Sequence, residues 1–404
     1  MIKLSPINAK RWQRFKANKL ALSCLVLFTT FTLVSFAAEV FFNDHALIVS
    51  YEGKTRFPIF AKHIPATEFG RVGDAAPNYL EMKADFAKEG KGNWVLMPLV
   101  PYGKRSVEKI DQTDIDKAML VLNKDFTQRF AKLEQKTFTT VEAKKKAIVK
   151  LRLEETRVKG ALEKKKYHPL PPSGRHFFGT EVNGRDIFAQ IVYGYRVAII
   201  FALALLLINY TLGVTIGCIM GFFGGWVDLL VQRIIEILTN IPFLYIVIIV
   251  AATLRDKNIE MGFGYLLAIF AFFGWMGMTW YMRTTTLKEK SRDYITAAKA
   301  LGAGNGRIIF THLLPNVVSL LVTFIPFSVS GAIVGLTSLD YLGYGLPKDW
   351  PSWGRLIQIG TKDMTSYWIV LSVVMAMIMV LFLINCIGEG LREAFDPKKI
   401  SSYE

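Results

Sequence analysis

The sequence is poor in the residues on which cross-linking, metal binding and most enzyme chemistry depend. It holds 3 cysteines and 5 histidines in 404 residues. Cys24, Cys218 and Cys386 each lie inside an apolar run, which excludes a disulfide framework and a cysteine metal site and leaves them as small packing residues. His45, His63, His168, His176 and His312 are scattered, without ligand spacing or a nucleophile–base pattern. No metal, cofactor or catalytic residue is expected, and a catalytic role for His176 with Asp186 has no third partner. A phosphate-binding loop is also missing. Gly53-Lys54-Thr55 imitates the end of one, but the first glycine of that motif would fall on Ile48. The chain is therefore not expected to hydrolyse ATP.

What the sequence has is apolar length. Hydrophobic residues make up 52% and are gathered into runs. Six runs approach or exceed the roughly 20 residues needed to cross a bilayer: 20–42, 197–223, 227–254, 261–282, 317–342 and 367–388. Asn240-Ile241-Pro242 interrupts the third, and Pro242 is expected to kink it, as a gate would require. A net charge of +16 suits either nucleic acid or a membrane protein with cationic loops. The apolar runs select the membrane, and no nucleic-acid partner is expected.

Residues 1–19 hold six cations and no acid, which argues for a cytoplasmic N-terminus. The first run is either a retained anchor or a leader cleaved after Ser35-Phe36-Ala37. Its continuation to Phe42 favours the anchor. Six crossings put both termini in the cytoplasm, together with the loop 283–316. Arg283, Lys288, Lys290, Arg292, Lys299 and Arg307 in that loop agree with the positive-inside rule. Arg233 and Glu236, one turn apart, are expected to pair. Asn209, Asn240 and Asn385 serve either interhelical hydrogen bonds or a translocation lining, with packing favoured.

Residues 43–194 form a long polar insertion, read as extracytoplasmic. Its first part, 43–103, mixes β-branched runs with aromatics and turn residues and is expected to be a small, partly β lobe. At about 113–165 the pattern turns helical. Ile115, Met119, Leu122, Phe126, Phe130 and Leu133 share one stripe, and Ile148, Leu151, Val158 and Leu162 share another. Thr139 or Thr140 is the cap between them, and an antiparallel hairpin follows. It is either a dock for a solute-binding protein or a solvated appendage, the second being the commoner fate of charged helices.

Between the fourth and fifth runs lies a polar, basic island at 293–316. Good helix formers follow Ser291 and Asp293, either of which can cap a helix. Gly302 stands where that helix can end in a left-handed residue, and Pro315 opens the next run. Ala297, Ala298 and Ala300 offer a nearly bare face that fits a groove on a cytosolic partner. This stretch resembles the coupling loop of membrane subunits in bacterial ABC importers. That family carries Glu-Ala-Ala, three residues, Gly, nine residues and an Ile-x-Leu-Pro ending. Ala297, Ala298, Gly302, Leu314 and Pro315 match it; Thr296 replaces the glutamate and His312 the isoleucine.

Further segments resemble the dipeptide and oligopeptide permeases of that family. His176-Phe177-Phe178-Gly179-Thr180-Glu181-Val182-Asn183-Gly184-Arg185-Asp186 is similar to their motif before the second span. There Gly179 and Gly184 supply turns, while Arg185 and Asp186 can pair or cap. The turn 338–346, the tail 388–397, in which Asp396-Pro397 stops the last helix, and the opening 4–15 are similar as well. Details within 43–98 resemble the microcin-C-type oligopeptide permease.

The resemblance implies an all-α integral membrane protein with six transmembrane helices of the ABC importer permease type. A mixed α/β insertion would stand outside the membrane between helices 1 and 2. The parts would be residues 1–42, the insertion 43–194, a five-helix core 195–397 with coupling loop 283–316, and the tail 398–404. Asp293, Thr296, Ala297, Ala298, Gly302, Leu314 and Pro315 would couple to the ATPase. Asn209, Asn240 and Pro242 would line or gate the path. The implied partners are a second permease subunit in a heterodimer, two ATP-binding subunits, a periplasmic solute-binding protein, a peptide substrate and the lipid of the inner membrane. The rival from another class is a membrane-anchored scaffold or sensor acting through 43–194. It has no use for the coupling loop, the six runs or the tail motif.

Overall fold

A computed structural model of the chain describes residues 6–61, 63–104, 106–107, 112–135, 141–164 and 169–395. In chain order the helices are α1 (Pro6–Ala17), α2 (Lys19–Phe36), α3 (Ala38–Phe41), α4 (Tyr79–Glu89), α5 (Gln112–Gln135), α6 (Val141–Lys164) and α7 (Ile187–Phe223). Then come α8 (Gly225–Thr239), α9 (Phe243–Asp256), α10 (Phe263–Lys290), α11 (Asp293–Ala300), α12 (Asn305–Arg307), α13 (Leu314–Leu342), α14 (Trp353–Lys362) and α15 (Tyr367–Phe395). Among the described residues three strands, β1 (Ile48–Tyr51), β2 (Lys54–Arg56) and β3 (Trp94–Leu96), are confined to one stretch. Met1–Phe41, Ile191–Gln358 and Val373–Glu404 make one compact unit, and Phe42–Gln190 with Ile359–Ser372 a second.

The first unit is helical, as expected. α2, α7, α10, Leu321–Leu342 and Met364–Phe395 are each long and apolar enough to cross a membrane. The third run departs from the expected kink. α8 and α9 meet at 70°, so a sixth crossing exists only if this bent pair is one span. The sequence explains the break. The Asn240 side chain donates from Nδ2 to the Glu236 carbonyl at 2.7 Å and closes α8. Pro242 has no N–H to continue the ladder and stands as the residue before α9. Arg233 and Glu236 pair on α8, 2.5 Å apart.

A close helix contact runs between α7 and α10. Gly213, Gly217 and Gly221 repeat every fourth residue, on one face of α7. A Cβ on Gly217 would lie 2.6 Å from both the Thr279 carbonyl oxygen and Met282 Cβ. Gly221 faces Thr286, and Gly213 faces Met278 and the Trp275 carbonyl, with the same lack of room. Small residues of this kind let two backbones approach where lipid supplies no hydrophobic drive to pack. Elsewhere in the unit, Gly390 of α15 admits Ala21 and Phe15. Asn18 caps α2 through the Ala21 amide at 3.0 Å and donates to Glu393 at 3.0 Å. The proposed stop at Asp396-Pro397 lies outside the described residues.

In the second unit β1 pairs antiparallel with both β2 and β3. Gly53-Lys54-Thr55 serves as hairpin turn and strand, with Glu52 at φ +48° and Gly53 at φ +74°. Val49 and Val95 point to a core shared with Phe69, Tyr79, Met82 and Phe86. The helix α4 that supplies three of these is absent from the sequence reading. Its amphipathic stripe is only two turns long. Burial pushes the Tyr79 phenol up to about 12. α5 and α6 form the expected hairpin, with Arg129 Nη2 donating to Glu154 at 3.0 Å and Phe126 and Leu151 buried. Thr139 and Thr140, and the Ile115 and Leu162 side chains, lie outside the described residues. Segment 359–372, beyond the sequence boundary at 194, also belongs to this unit.

The glycine seam makes a direct test. Gly217→Ala is expected to destabilise the detergent-solubilised chain by about 1–3 kcal/mol through overpacking. Gly277→Ala, which meets open space, is expected to leave melting unchanged. Equal melting of the two variants, followed by tryptophan fluorescence, would show that α7 and α10 do not touch there.

Candidate functional site

Helix α11 follows α10 after a two-residue turn. Neither Ser291 nor Asp293 is its cap. Arg292 takes that position without a side-chain hydrogen bond, and the Ser291 hydroxyl donates to the Lys288 carbonyl at 2.9 Å. Asp293 is the first helical residue, where a carboxylate meets the positive end of the helix dipole. The far end closes as expected. Gly302 stands at φ +79°. Its amide donates to Lys299 O at 2.9 Å, and the Ala303 amide donates to Ala298 O at 3.0 Å. This is the paired hydrogen bonding of a Schellman motif.

The bare face is narrower than the sequence suggests. Ala298 is buried with Ile295, whereas Thr296, Ala297, Lys299 and Ala300 are exposed and Leu301 is 89% exposed. A helix of two turns cannot point three alanines at positions 297, 298 and 300 the same way, since each residue turns about 100°. Ile295 and Ala298 pack into one apolar cluster with Val214, Cys218 and Phe222 of α7 and Met282 of α10. Ile308, Ile309, Leu313, Val317 and Leu321 complete it. The first three of these lie on a wider, π-type turn, Ile308–Leu313, which places them inward together while Phe310 stays exposed. Pro315 sits in the first turn of α13, directly after this wider turn. Burial in this neighbourhood pushes the Tyr294 phenol up.

Three cations fasten the site to α7 and α8. Arg283 of α10 forks onto Asp228 of α8, with Nε–Oδ1 at 2.5 Å and Nη2–Oδ2 at 2.6 Å. With its amide turned, Gln232 also accepts from Arg283 Nη2 at 2.9 Å. Lys290 donates to the Phe222 carbonyl at 2.5 Å, capping the end of α7. Its ammonium and that of Lys299 lie 5.6 and 5.4 Å from the Phe222 ring. These contacts escape the sequence reading, because Asp228 and Arg283 are 55 residues apart. The Gly213, Gly217, Gly221 repeat, not used in the sequence reading, is a signal that could have placed α7 against another helix.

The other named residues have partners within the fold. His176 Nδ1 and Asp186 Oδ2 are 2.7 Å apart and both are buried. Asp186 Oδ1 accepts the Ala189 amide at 2.8 Å and so caps α7. Arg185 approaches Glu181 at 3.9 Å rather than Asp186. Thr180 Oγ1 accepts the Leu170 amide at 2.8 Å, and Gly179 and Gly184 have φ of +77° and +78°. The motif is a rigid turn that starts a helix. Asn209 of α7 packs against Gly274 of α10. Asn240 and Pro242 are taken up by the α8–α9 break.

Asp340 has a role the sequence reading missed. Buried at the end of α13, it accepts the Leu346 amide at 2.6 Å and the Ser352 hydroxyl at 2.5 Å, with Gly345 and Gly354 pressed against it. It pins the loop after α13, and Arg355 completes the fastening by donating to the Leu346 carbonyl at 2.7 Å.

Comparison with known proteins agrees with this architecture. Residues 213–401 match the family described as binding-protein-dependent transport system inner membrane component. Residues 9–53 match the N-terminal TM domain of oligopeptide transport permease C. The peptidoglycan transport system permease protein YejE of Agrobacterium fabrum is 33% identical over 397 residues, 98% of this chain and 94% of that one. The inner membrane ABC transporter permease protein YejE of Escherichia coli is 32% identical, with 99% of each chain covered. The oligopeptide transport system permease protein OppC of Haemophilus influenzae is 36% identical over 226 residues, 56% of this chain and 71% of that one. The long insertion therefore falls within the stretch aligned to the first two relatives.

Because Arg283 and Asp228 are mostly buried, Arg283→Ala is expected to cost about 2–3 kcal/mol by stranding the carboxylate. Arg283→Asp combined with Asp228→Arg is expected to recover most of the loss. A double variant no more stable than either single one, measured by melting in detergent, would remove this pair from the account.

Proposed function

This chain belongs to the family of inner membrane components of binding-protein-dependent transport systems, and we propose that it is the subunit that turns ATPase motion into alternating access for peptides or peptide-like compounds. The observation that carries the proposal is the two-sided helix α11. Its outer side offers Thr296, Ala297, Ala300 and Leu301 to a cytosolic partner. Its inner side, Ile295 and Ala298, is packed onto α7, α10 and the start of α13. A push on such a helix is passed to three spans at once, because packed cores transmit displacement rather than absorb it.

The partners follow from that role. Two ATP-binding subunits supply hydrolysis, a second permease subunit completes the path, and a periplasmic solute-binding protein delivers the substrate. Oligopeptide carriage is supported by the match at 9–53 and by the name of the oligopeptide relative, and the likeness to the peptidoglycan transport system permease supports peptide-like compounds. Both termini and α11 face the cytoplasm in this arrangement, in keeping with the cationic loop 283–316. The region 43–194 stands on the opposite side.

Ala297→Trp is the variant of choice, since Ala298→Trp would disrupt the core and Gly302→Trp would strain a left-handed backbone. Full-length wild-type protein is expected to purify from detergent with an ATPase and a second permease. Ala297→Trp is expected to keep the permease partner, lose the ATPase and lose ATP-driven uptake. A wild type that purifies alone, or a variant that keeps its ATPase and transports normally, would overturn the proposal.

A further inference from the structure

Helix α1 carries Lys10, Arg11, Arg14 and Lys16 and no acid. It borders an open cavity of about 700 Å³ that also touches the π-type turn, the start of α13 and the end of α15. That volume is within the range of small-ligand sites, about 300–1,000 Å³. Among the described residues the lining holds one cation, Arg11, one amide, Asn8, and otherwise apolar or aromatic side chains. Arg11 is held in place, with its guanidinium 4.5 Å from the Phe395 ring centroid and Nη1 donating to Asn8 at 3.3 Å. Trp12 stacks on Phe15 at 5.7 Å, while Trp12 and Phe310 remain exposed at the rim.

We propose that this cavity is a binding site for one anionic phospholipid of the cytoplasmic leaflet. Arg11 receives the phosphate, and Trp12, Phe310, Val322 and Phe395 line the way for an acyl chain. Two observations select a lipid. The helix that borders the cavity carries four cations and no acid, matching a negatively charged leaflet. The rest of the wall is apolar, which a free anion has no use for. A basic helix with tryptophan at its edge is also the pattern of a helix lying in the membrane interface. Such a lipid would touch Phe310, Leu314 and Pro315 and so brace the return leg of the coupling loop. The leaflet assignment rests on the orientation proposed above; the site itself does not.

The test uses the full-length protein in phosphatidylcholine nanodiscs containing a photoactivatable phosphatidylglycerol, with photoactivatable phosphatidylcholine as the comparison. Phosphatidylglycerol is expected to label peptides covering 8–15 and 391–395 in preference to phosphatidylcholine. Arg11→Gln is expected to reduce that labelling about fivefold, the effect of one basic residue at an anionic surface. Arg11→Lys restores it, and Val322→Trp, which fills the cavity, abolishes it while melting stays at the wild-type value. Equal labelling by the two lipids, or labelling indifferent to Arg11→Gln, overturns the proposal. So does displacement by inorganic phosphate, which would make this a free-anion site. Labelling that arises only after residues 396–404 are removed also overturns it, since the cavity would then belong to the tail. The assay needs neither ATP nor transport, and both leaflets carry the probe, so its failure counts against the lipid site and leaves the transport reading untouched.

Discussion

The close approach of α7 and α10 along Gly213, Gly217 and Gly221 is the constraint on which the site depends. α11 follows α10 after only two residues, so wherever the seam places the end of α10 it also places α11. The cluster that receives Ile295 and Ala298 is built at the end of that seam, from Val214, Cys218 and Phe222 on one helix and Met282 on the other. A side chain at Gly217 would separate the two helices and open the floor under α11. Lipid cannot close such a gap by the hydrophobic effect, because tails and side chains are equally apolar. The contact has to be made by shape, and glycine is the only residue that leaves the shape free.

Charge then fixes what shape alone would let slide. Two helices in contact along small residues can shift along their axes at little cost. The bidentate Arg283–Asp228 pair, with Gln232 beside it, sets the register between α10 and α8. Lys290 on the Phe222 carbonyl satisfies the exposed end of α7. A fork has two contact points and so resists rotation as well as translation, which one lysine in place of Arg283 would not achieve.

Much of this was legible in the sequence, and the rest was hidden for identifiable reasons. Apolar length marked the spans, since twenty apolar residues in a row have few other uses. Gly302 was legible because a left-handed helix end has a known residue. The hairpin α5–α6 showed in its three- and four-residue steps. The inward turn of Ala298 was missed because small residues carry no periodic signal of their own; only Ile295, three residues earlier, marks the buried side. The break at Asn240-Ile241-Pro242 was read as a kink because proline alone gives one. A full break needed Asn240 to fold back onto Glu236. Asp340 was noted only as part of a family turn, and its burial depends on Ser352 and Leu346, which come after the span.

The same contacts decide how far a displacement of α11 would travel. Gly224 and Gly225, at φ of +65° and +53°, make a tight elbow between α7 and α8, and alone they would let α8 swing. The Arg283–Asp228 fork removes that freedom and ties α8 to α10. Past Thr239 no such tie is needed, because the 70° break ends the rigid path. In the proposed role, a displacement of α11 would be carried by α7, α8, α10 and the start of α13, which are packed or tied together, while α9 would follow at a different angle. Alternating access works largely by rigid-body rocking, and in the proposed role three glycines and one ion pair would hold that body together.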